Sequence, residues 1–394
     1  MLTSLALIFL LGALLGAIFT RLKRPGLLGM LLAGMLLGPY ALNLIDGSIL
    51  GISADLRQLA LVIILARAGL ALDLGALRRV GRAAILMCFV PACFEVAAVM
   101  LLAPRLLGVS LAEAAVMGSV VAAVSPAVIV PRMLKLLEEG YGTGQGIPQL
   151  IMAGASADDV FVIVLFSSFA GLAGGENIAP LRFASIPVSM LLGMAIGAGV
   201  GLLLARVFKK IRMRDSVKGL ILLSISFLLV GLEKAAAGHV PVSGLLAVMA
   251  AGVALLRTYP VLAGRLAGKL SKLWVAAEIL LFALVGAVVD VRYALAAGAA
   301  VVLLLLLALL LRMAGVFLCL LKTGLSGRER LFCMIAYVPK ATVQAAIGGI
   351  PLAMGLDCGP IVLTVAVVSI LITAPLGAAA VDLTYKKLLT HSEK

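Results

Sequence analysis

Residues 148–173 read PQLIMAGASADDVFVIVLFSSFAGLA. The run is long and apolar enough to cross a bilayer as one helix, because about 20 residues at ~1.5 Å each span a hydrocarbon core of ~30 Å. Two adjacent carboxylates, Asp158 and Asp159, lie roughly halfway along it. An ionisable side chain at that depth costs about 2.5–3.5 kcal/mol on insertion scales. Neighbouring helical residues point ~100° apart, so one partner does not easily satisfy both acids. Two carboxylates this close also resist double ionisation, and the pair is eased by holding one proton or one cation. A site that exchanges a proton for a cation needs that property, whereas an internal strut does not.

The rest of the chain fits that helix. Of 394 residues, 63% are hydrophobic and 13% charged, and the mean hydropathy is +1.23; soluble domains average about 45–50% apolar and ~25% charged. Apolar runs of spanning length repeat from end to end, predicting an all-α polytopic membrane protein with about 13 spans: 2–20, 27–44, 56–73, 82–104, 111–135, 148–173, 184–208, 216–232, 240–256, 271–290, 294–320, 330–352 and 360–383. The ten-residue alternating segments of a barrel are not seen. Arg21, Lys23 and Arg24 follow the first run instead of preceding it, which argues against a signal peptide. No soluble domain or long linker interrupts the array.

The formal charge of +14 is a topology signal, and no nucleic-acid partner is expected. Of the 32 Lys and Arg residues, 24 flank alternate connections, beginning with the one after the first span. Only Arg57, Arg105, Arg182, Lys234 and Arg292 flank the others. The positive-inside rule then puts the N-terminus outside and the C-terminus in the cytoplasm. The five cysteines (Cys88, Cys93, Cys319, Cys333, Cys358) form no CxxC pair and read as apolar fillers. Two histidines, His239 and His391, do not make a histidine-rich metal site.

Three basic residues lie within spans: Arg67, Arg312 and Lys340. With Glu95, Asp158 and Asp159 they form a balanced set at similar depth. Such residues line a pathway or pair with one another. For Glu95 and Arg312, a structural ion pair between helices and direct ion handling both stay open. Lys340 reads as a fixed counter-charge more than a titrating group, and Arg67 as structural.

Two spans are interrupted near mid-depth. AVSPAVIVP (123–131) places Pro126 and Pro131 in the fifth, and YVPKATVQAAIGG (337–349) places Pro339, Gly348 and Gly349 in the twelfth. Proline removes a backbone hydrogen bond and clashes with the preceding turn, and irregular backbone at membrane depth survives only inside protein or along a cavity. Two interrupted spans of opposite direction suggest inverted repeats with an ion site between the breaks. Lys340 is placed to offset helix C-termini there. Freed carbonyls near Ser125, with the Ser125 and Ser156 hydroxyls, would add oxygen ligands to the carboxylates, which suits a small hard cation such as Na⁺ or Li⁺.

At these residues the chain resembles the monovalent cation/proton antiporter superfamily, in its NHA branch. The resemblance rests on VSPAVIVPRMLKL (124–136), GYGTGQGIPQLIMAGASADDV (140–160), LLFALVGAVVDV (280–291), VPKATVQAAIGG (338–349) and TVAVVSILITAPLGA (364–378). LLAGMLLGP (31–39) and ARAGLALD (66–73) are typical of the wider superfamily. The resemblance implies an NhaA-type fold with two broken crossing helices, and a homodimer in which a core part (82–173 and 294–383) moves against a dimerisation part (2–44 and 184–256). It implies Asp159 as main cation and proton ligand with Asp158 beside it, Arg312 paired with Glu95, and Lys340 after the broken-helix proline. One acid of the branch is replaced here by Val288, with Asp290 nearby, which leaves the partner of Lys340 open.

The expected activity is therefore alternating-access antiport of Na⁺ or Li⁺ against H⁺ in a bacterial inner (plasma) membrane. K⁺/H⁺ exchange uses similar parts, a passive cation channel would make the buried acids a selectivity ring, and a non-transporting sensor would usually carry a soluble domain. No nucleotide-binding or catalytic motif is present, so neither an enzyme nor a cofactor is expected beyond the transported ions.

Overall fold

The computed structural model describes residues 1–22, 24–71, 81–173, 180–236, 240 and 242–391, without the side chains at 156, 157, 160, 172, 180–187, 190, 234 and 291–297. Helices follow one another as α1 (Leu2–Arg21), α2 (Gly26–Leu37), α3 (Gly47–Gly51), α4 (Ser53–Ala71), α5 (Arg82–Met87), α6 (Val90–Leu107), α7 (Leu111–Val121), α8 (Pro126–Glu139) and α9 (Ile147–Ala173). They continue as α10 (Pro180–Lys210), α11 (Asp215–Ala236), α12 (Gly244–Thr258), α13 (Pro260–Ala287), α14 (Val291–Cys319), α15 (Gly327–Ala336), α16 (Thr342–Ile347), α17 (Ile350–Ala353) and α18 (Gly359–Leu388). No strand occurs among the described residues. Among the described residues, eight segments are long and apolar enough to cross a membrane, with shorter apolar helices between them. Large side chains such as Leu10, Leu228, Leu310 and Leu383 point outward, as lipid contact requires.

Several expected spans divide or shift for local reasons. The span expected at 82–104 breaks into α5 and α6 at Cys88–Phe89, because Pro91 has no N–H to offer the carbonyl of Met87. The chain there tightens to three-residue bonds, Cys88 N to Ile85 O and Phe89 N to Leu86 O. The span expected at 27–44 stops at Leu37 and turns. The span expected at 271–290 is the longer helix α13, which begins at Pro260, a proline at a first helical position.

The two interrupted spans are built alike. α7 opens with a capping box in which Ser110 Oγ accepts from Glu113 N and the Glu113 carboxylate accepts from Ser110 N. α15 opens with the same device at Ser326 and Glu329. Each rigid half-helix runs ten or eleven residues and stops. α7 ends because Pro126 cannot donate to the carbonyl four residues back, Ala122; the helix restarts with Pro126 as its first residue. α15 ends ahead of Pro339, and the chain stays irregular until Thr342.

The chain separates into two compact units, one comprising 1–51, 73–175 and 282–394, the other 52–72 and 176–281. Residues 2–44 fall in the same compact unit as 82–173 and 294–383. The reason is close packing of α2 on the end of α13: a side chain at Gly34 would strike the Ala283 carbonyl, and one at Gly286 the Leu31 carbonyl. In the second unit α10 lies on α12 through Gly193, Gly197 and Gly201, each against a backbone carbonyl, the small-residue spacing that lets membrane helices approach. In the first unit a core of Met87, Ile129, Met133, Ile151, Phe332, Tyr337 and their neighbours joins α5, α8, α9, α15 and α18, which fixes α9 against both broken helices.

Candidate functional site

The two breaks cross. Ser125 N donates to Pro339 O at 2.8 Å, and the Ser125 and Thr342 hydroxyls lie 3.4 Å apart. Each irregular stretch is also held by the long helix that follows its own half: Val124 N donates to Asp158 Oδ2 on α9 at 2.8 Å, and Lys340 N donates to Thr373 Oγ1 on α18 at 2.9 Å. Gly377, one turn beyond Thr373, leaves no room for a side chain against the Pro339 ring, so the second break seats directly on α18.

A helix that stops inside protein leaves its last carbonyls without partners. At the end of α7 they are met by side chains. Lys340 Nζ donates to Val121 O at 2.5 Å, Gln344 Nε2 to Ala123 O at 2.9 Å and to Val121 O at 3.3 Å, and Arg312 Nη1 to Ala122 O. Two full positive charges at a helix C-terminus also oppose its partial negative charge. The freed carbonyls expected near Ser125 include Val121, Ala122 and Ala123, and their oxygens accept from these three donors.

The charges pair as a chain. Lys340 Nζ lies 2.7 and 2.8 Å from the two Glu95 oxygens. Glu95 Oε2 in turn lies 3.0 Å from Arg312 Nη1, and Arg312 Nη2 lies 2.8 Å from Asp158 Oδ2. Arg312 completes its fork with Nε to Tyr337 O at 3.0 Å, and its guanidinium sits 5.6 Å from the Tyr337 ring centre. Glu95, Asp158, Arg312 and Lys340 are all fully buried. Glu95 is therefore the acid that faces Lys340, the position left open by Val288.

Two cations are balanced by two anions within this chain of pairs, and Asp159 is additional. Its Oδ1 is buried and has no hydrogen-bond partner among the described residues. Asp158 Oδ1 is likewise unpartnered, since Arg312 and Val124 both take Oδ2. Arg67 belongs to the other compact unit, which also holds Glu278, and its charge acts on that carboxyl. The Ser156 side chain lies outside the described residues. Sequence reasoning assigned no role to Gln344 or Thr373, though the signal was available, since each is a polar residue in an apolar run four residues from another buried polar group.

The chain matches the family model described as "Sodium/hydrogen exchanger, transmembrane" over residues 6–383. Similar proteins include the sodium/hydrogen exchanger 9B2 of Mus musculus, 34% identical over 382 residues that cover 94% of this chain and 69% of that protein. The 9B2 protein of Xenopus tropicalis is 34% identical with coverage of 99% and 75%, and the 9B1 protein of Homo sapiens 32% with coverage of 93% and 73%. Among solved structures, the sodium proton antiporter MjNhaP1 from Methanocaldococcus jannaschii at pH 8 superposes with a TM-score of 0.82 at 21% identity, covering 98% of this chain and 97% of that one; the two share a fold. Built as an integral membrane protein from apolar helices, and matched along nearly its whole length, the chain belongs to the sodium/hydrogen exchanger family, whose members are transporters and not enzymes.

Proposed function

We propose that the protein is a secondary antiporter that exchanges Na⁺ or Li⁺ for H⁺ at Asp159 by alternating access. One observation carries the assignment: Asp159 is the one acid of the buried cluster that the cations and helix ends of the cluster leave unpartnered. A carboxylate without a counter-charge at membrane depth is costly unless it holds a proton or a cation. Either ligand neutralises it, and the empty, charged form is the one that the low-dielectric interior opposes. That opposition couples the two fluxes, because the site crosses only when loaded. Asp158 contributes its free Oδ1 beside the ion while its other oxygen stays with Arg312, and the hydroxyl of Ser125 lies at the same crossing. Guanidinium does not give up its proton, so cation entry releases none from Arg312, which supports one H⁺ per cation.

The charge distribution supports an outside N-terminus and a cytoplasmic C-terminus, and the family resemblance supports a homodimer in a bacterial inner (plasma) membrane. The test is cation-driven pH change in proteoliposomes holding wild type or Asp159→Asn, with Na⁺, Li⁺ and K⁺ added in turn. Proton movement by wild type on Na⁺ or Li⁺ addition, and its loss in a folded Asp159→Asn protein, is the expected result. Movement driven by K⁺ alone would replace the cation. Normal exchange by Asp159→Asn would overturn the assignment of the site.

A further inference from the structure

Tyr337 is the buried hydroxyl that the scheme above leaves unused. It closes α15 at the second break, its carbonyl accepts from Arg312 Nε, and its ring lies beside the same guanidinium. The hydroxyl end reaches α9, where it occupies the space a side chain at Gly154 would need. Its oxygen is buried and has no hydrogen-bond partner among the described residues. Gly154 and Asp158 lie four residues apart, on one face of α9 and separated by ~6 Å along its axis. Asp158 Oδ1, the other unpartnered oxygen on that face, is an acceptor without a donor. The phenol end and Asp158 thus share one face of α9, a donor and an acceptor that a single intervening oxygen can serve with ordinary hydrogen bonds. Buried polar atoms are paired with protein or water in nearly every case, and a water needs two to four such partners.

We propose that the Tyr337 hydroxyl and Asp158 Oδ1 hold one water molecule beside Asp159, and that this water is a ligand of the transported cation. Tyr337 is then a positioning residue: it acts on the ion through the water it orients. The proposal rests on Asp159 being the ion site and adds to it the residue that completes the ion's shell. A small hard cation wants more oxygen atoms than two carboxylates supply, and with the α7 carbonyls occupied a protein-held water is the available source. Gly154 belongs to the same device, since any side chain there would push the phenol off α9.

The experiment compares wild type, Tyr337→Phe and Gly154→Ala for the apparent Na⁺ KM and Vmax of exchange, and for the rise in melting temperature on adding Na⁺ in detergent. Phenylalanine keeps the ring and its contact with Arg312, so the fold is retained and only the hydroxyl is lost. The expected result is an Na⁺ KM raised about three- to tenfold, on the order of one hydrogen bond to a charged centre, with Vmax changed less and a smaller Na⁺-induced thermal shift. Gly154→Ala should reproduce the KM change. If Tyr337 only fills the core, Tyr337→Phe removes an unsatisfied hydroxyl: the protein melts higher, and KM and the Na⁺ shift match wild type. That outcome overturns the proposal and leaves Asp159 untouched, whereas exchange by Asp159→Asn would overturn the site itself.

Discussion

Replacing Glu95 by Gln tests the pairing scheme without touching Asp159. Glu95 is the shared partner of two buried cations, at 2.7 Å from Lys340 and 3.0 Å from Arg312. At an effective dielectric of ~20 each contact is worth about 6 kcal/mol of gross Coulomb attraction. Gln keeps the shape and one accepting oxygen, so part of the hydrogen bonding survives. What does not survive is neutrality: Arg312 and Lys340 then share Asp158 alone. Removing one member of a buried pair costs about 3–5 kcal/mol, and here one substitution leaves two cations facing each other, so the upper part of that range applies. Read as a melt in detergent, the loss is about 10 °C or more, taking ~2–4 °C per kcal/mol for a cooperative unit of about 200 residues. The second arm is Glu95→Gln with Lys340→Met, which restores one cation against one anion. Because the two sites touch, their effects should fail to add, and the double variant should regain more than half of the lost melting temperature. If Glu95→Gln melts within about 2 °C of wild type, or if the double variant is no more stable than the single one, the balance of charges does not hold this crossing together.

Three further outcomes follow from the same geometry. If proton and cation compete for Asp159 as proposed, the apparent Na⁺ KM rises as pH falls, by about tenfold per pH unit for one competing proton and about a hundredfold for two; a flat KM would show that the ions do not share a carboxylate. Arg312→Lys keeps the charge but not the planar fork that spans Glu95, Asp158, Ala122 O and Tyr337 O, so exchange should fall at least tenfold in a protein that is still folded, and wild-type turnover would refute the need for the fork. Gly377→Val would force Pro339 off α18; a destabilisation of about 1–3 kcal/mol is expected from overpacking, measured as a lower melting temperature, and an unchanged melt would show that the break does not seat there.

The sequence carries the architecture because hydrocarbon imposes it. Apolar runs must be helices, and AVSPAVIVP and YVPKATVQAAIGG must break because proline cannot donate. The break at Pro91 was missed for an instructive reason: it lies early in a long apolar run, where a single proline near a helix start looks tolerable, and only the geometry shows that the helix restarts there. Membership of the buried cluster was less legible. Depth along a span does not determine the direction a side chain faces, so depth alone sets Arg67 beside Arg312. Periodicity likewise gave no sign that Gln344 and Lys340 turn back onto α7, since those contacts join residues more than 200 positions apart.

The adjacency of Asp158 and Asp159 now has a physical reason. The first break needs an acceptor for Val124 N, and Arg312 needs an anion beside the end of α7; Asp158 Oδ2 serves both. The second break needs only an acceptor for Lys340 N, and Thr373 supplies it with a neutral hydroxyl. The structural duty that a threonine discharges on α18 is thus discharged on α9 by a carboxylate, because on that side a cation must be held as well. A single aspartate committed through one oxygen to Arg312 and Val124 would leave only its other oxygen, already neutralised by Arg312, to bind an ion. A single aspartate given over to the ion would leave Arg312 and Lys340 to share Glu95 alone whenever a proton arrived. On the proposed assignment, two neighbours on one helix separate the tasks: Asp158 keeps its pairing with Arg312 and Val124 N, and Asp159 exchanges its ligand. The separation makes asymmetric predictions for the two Asn variants. Asp159→Asn should remove exchange while leaving the melt near or above wild type, because it deletes an unpaired charge. Asp158→Asn should lower the melt by about 3 kcal/mol or more, as loss of a buried partner does. Equal effects on stability would mean that the two acids share both tasks.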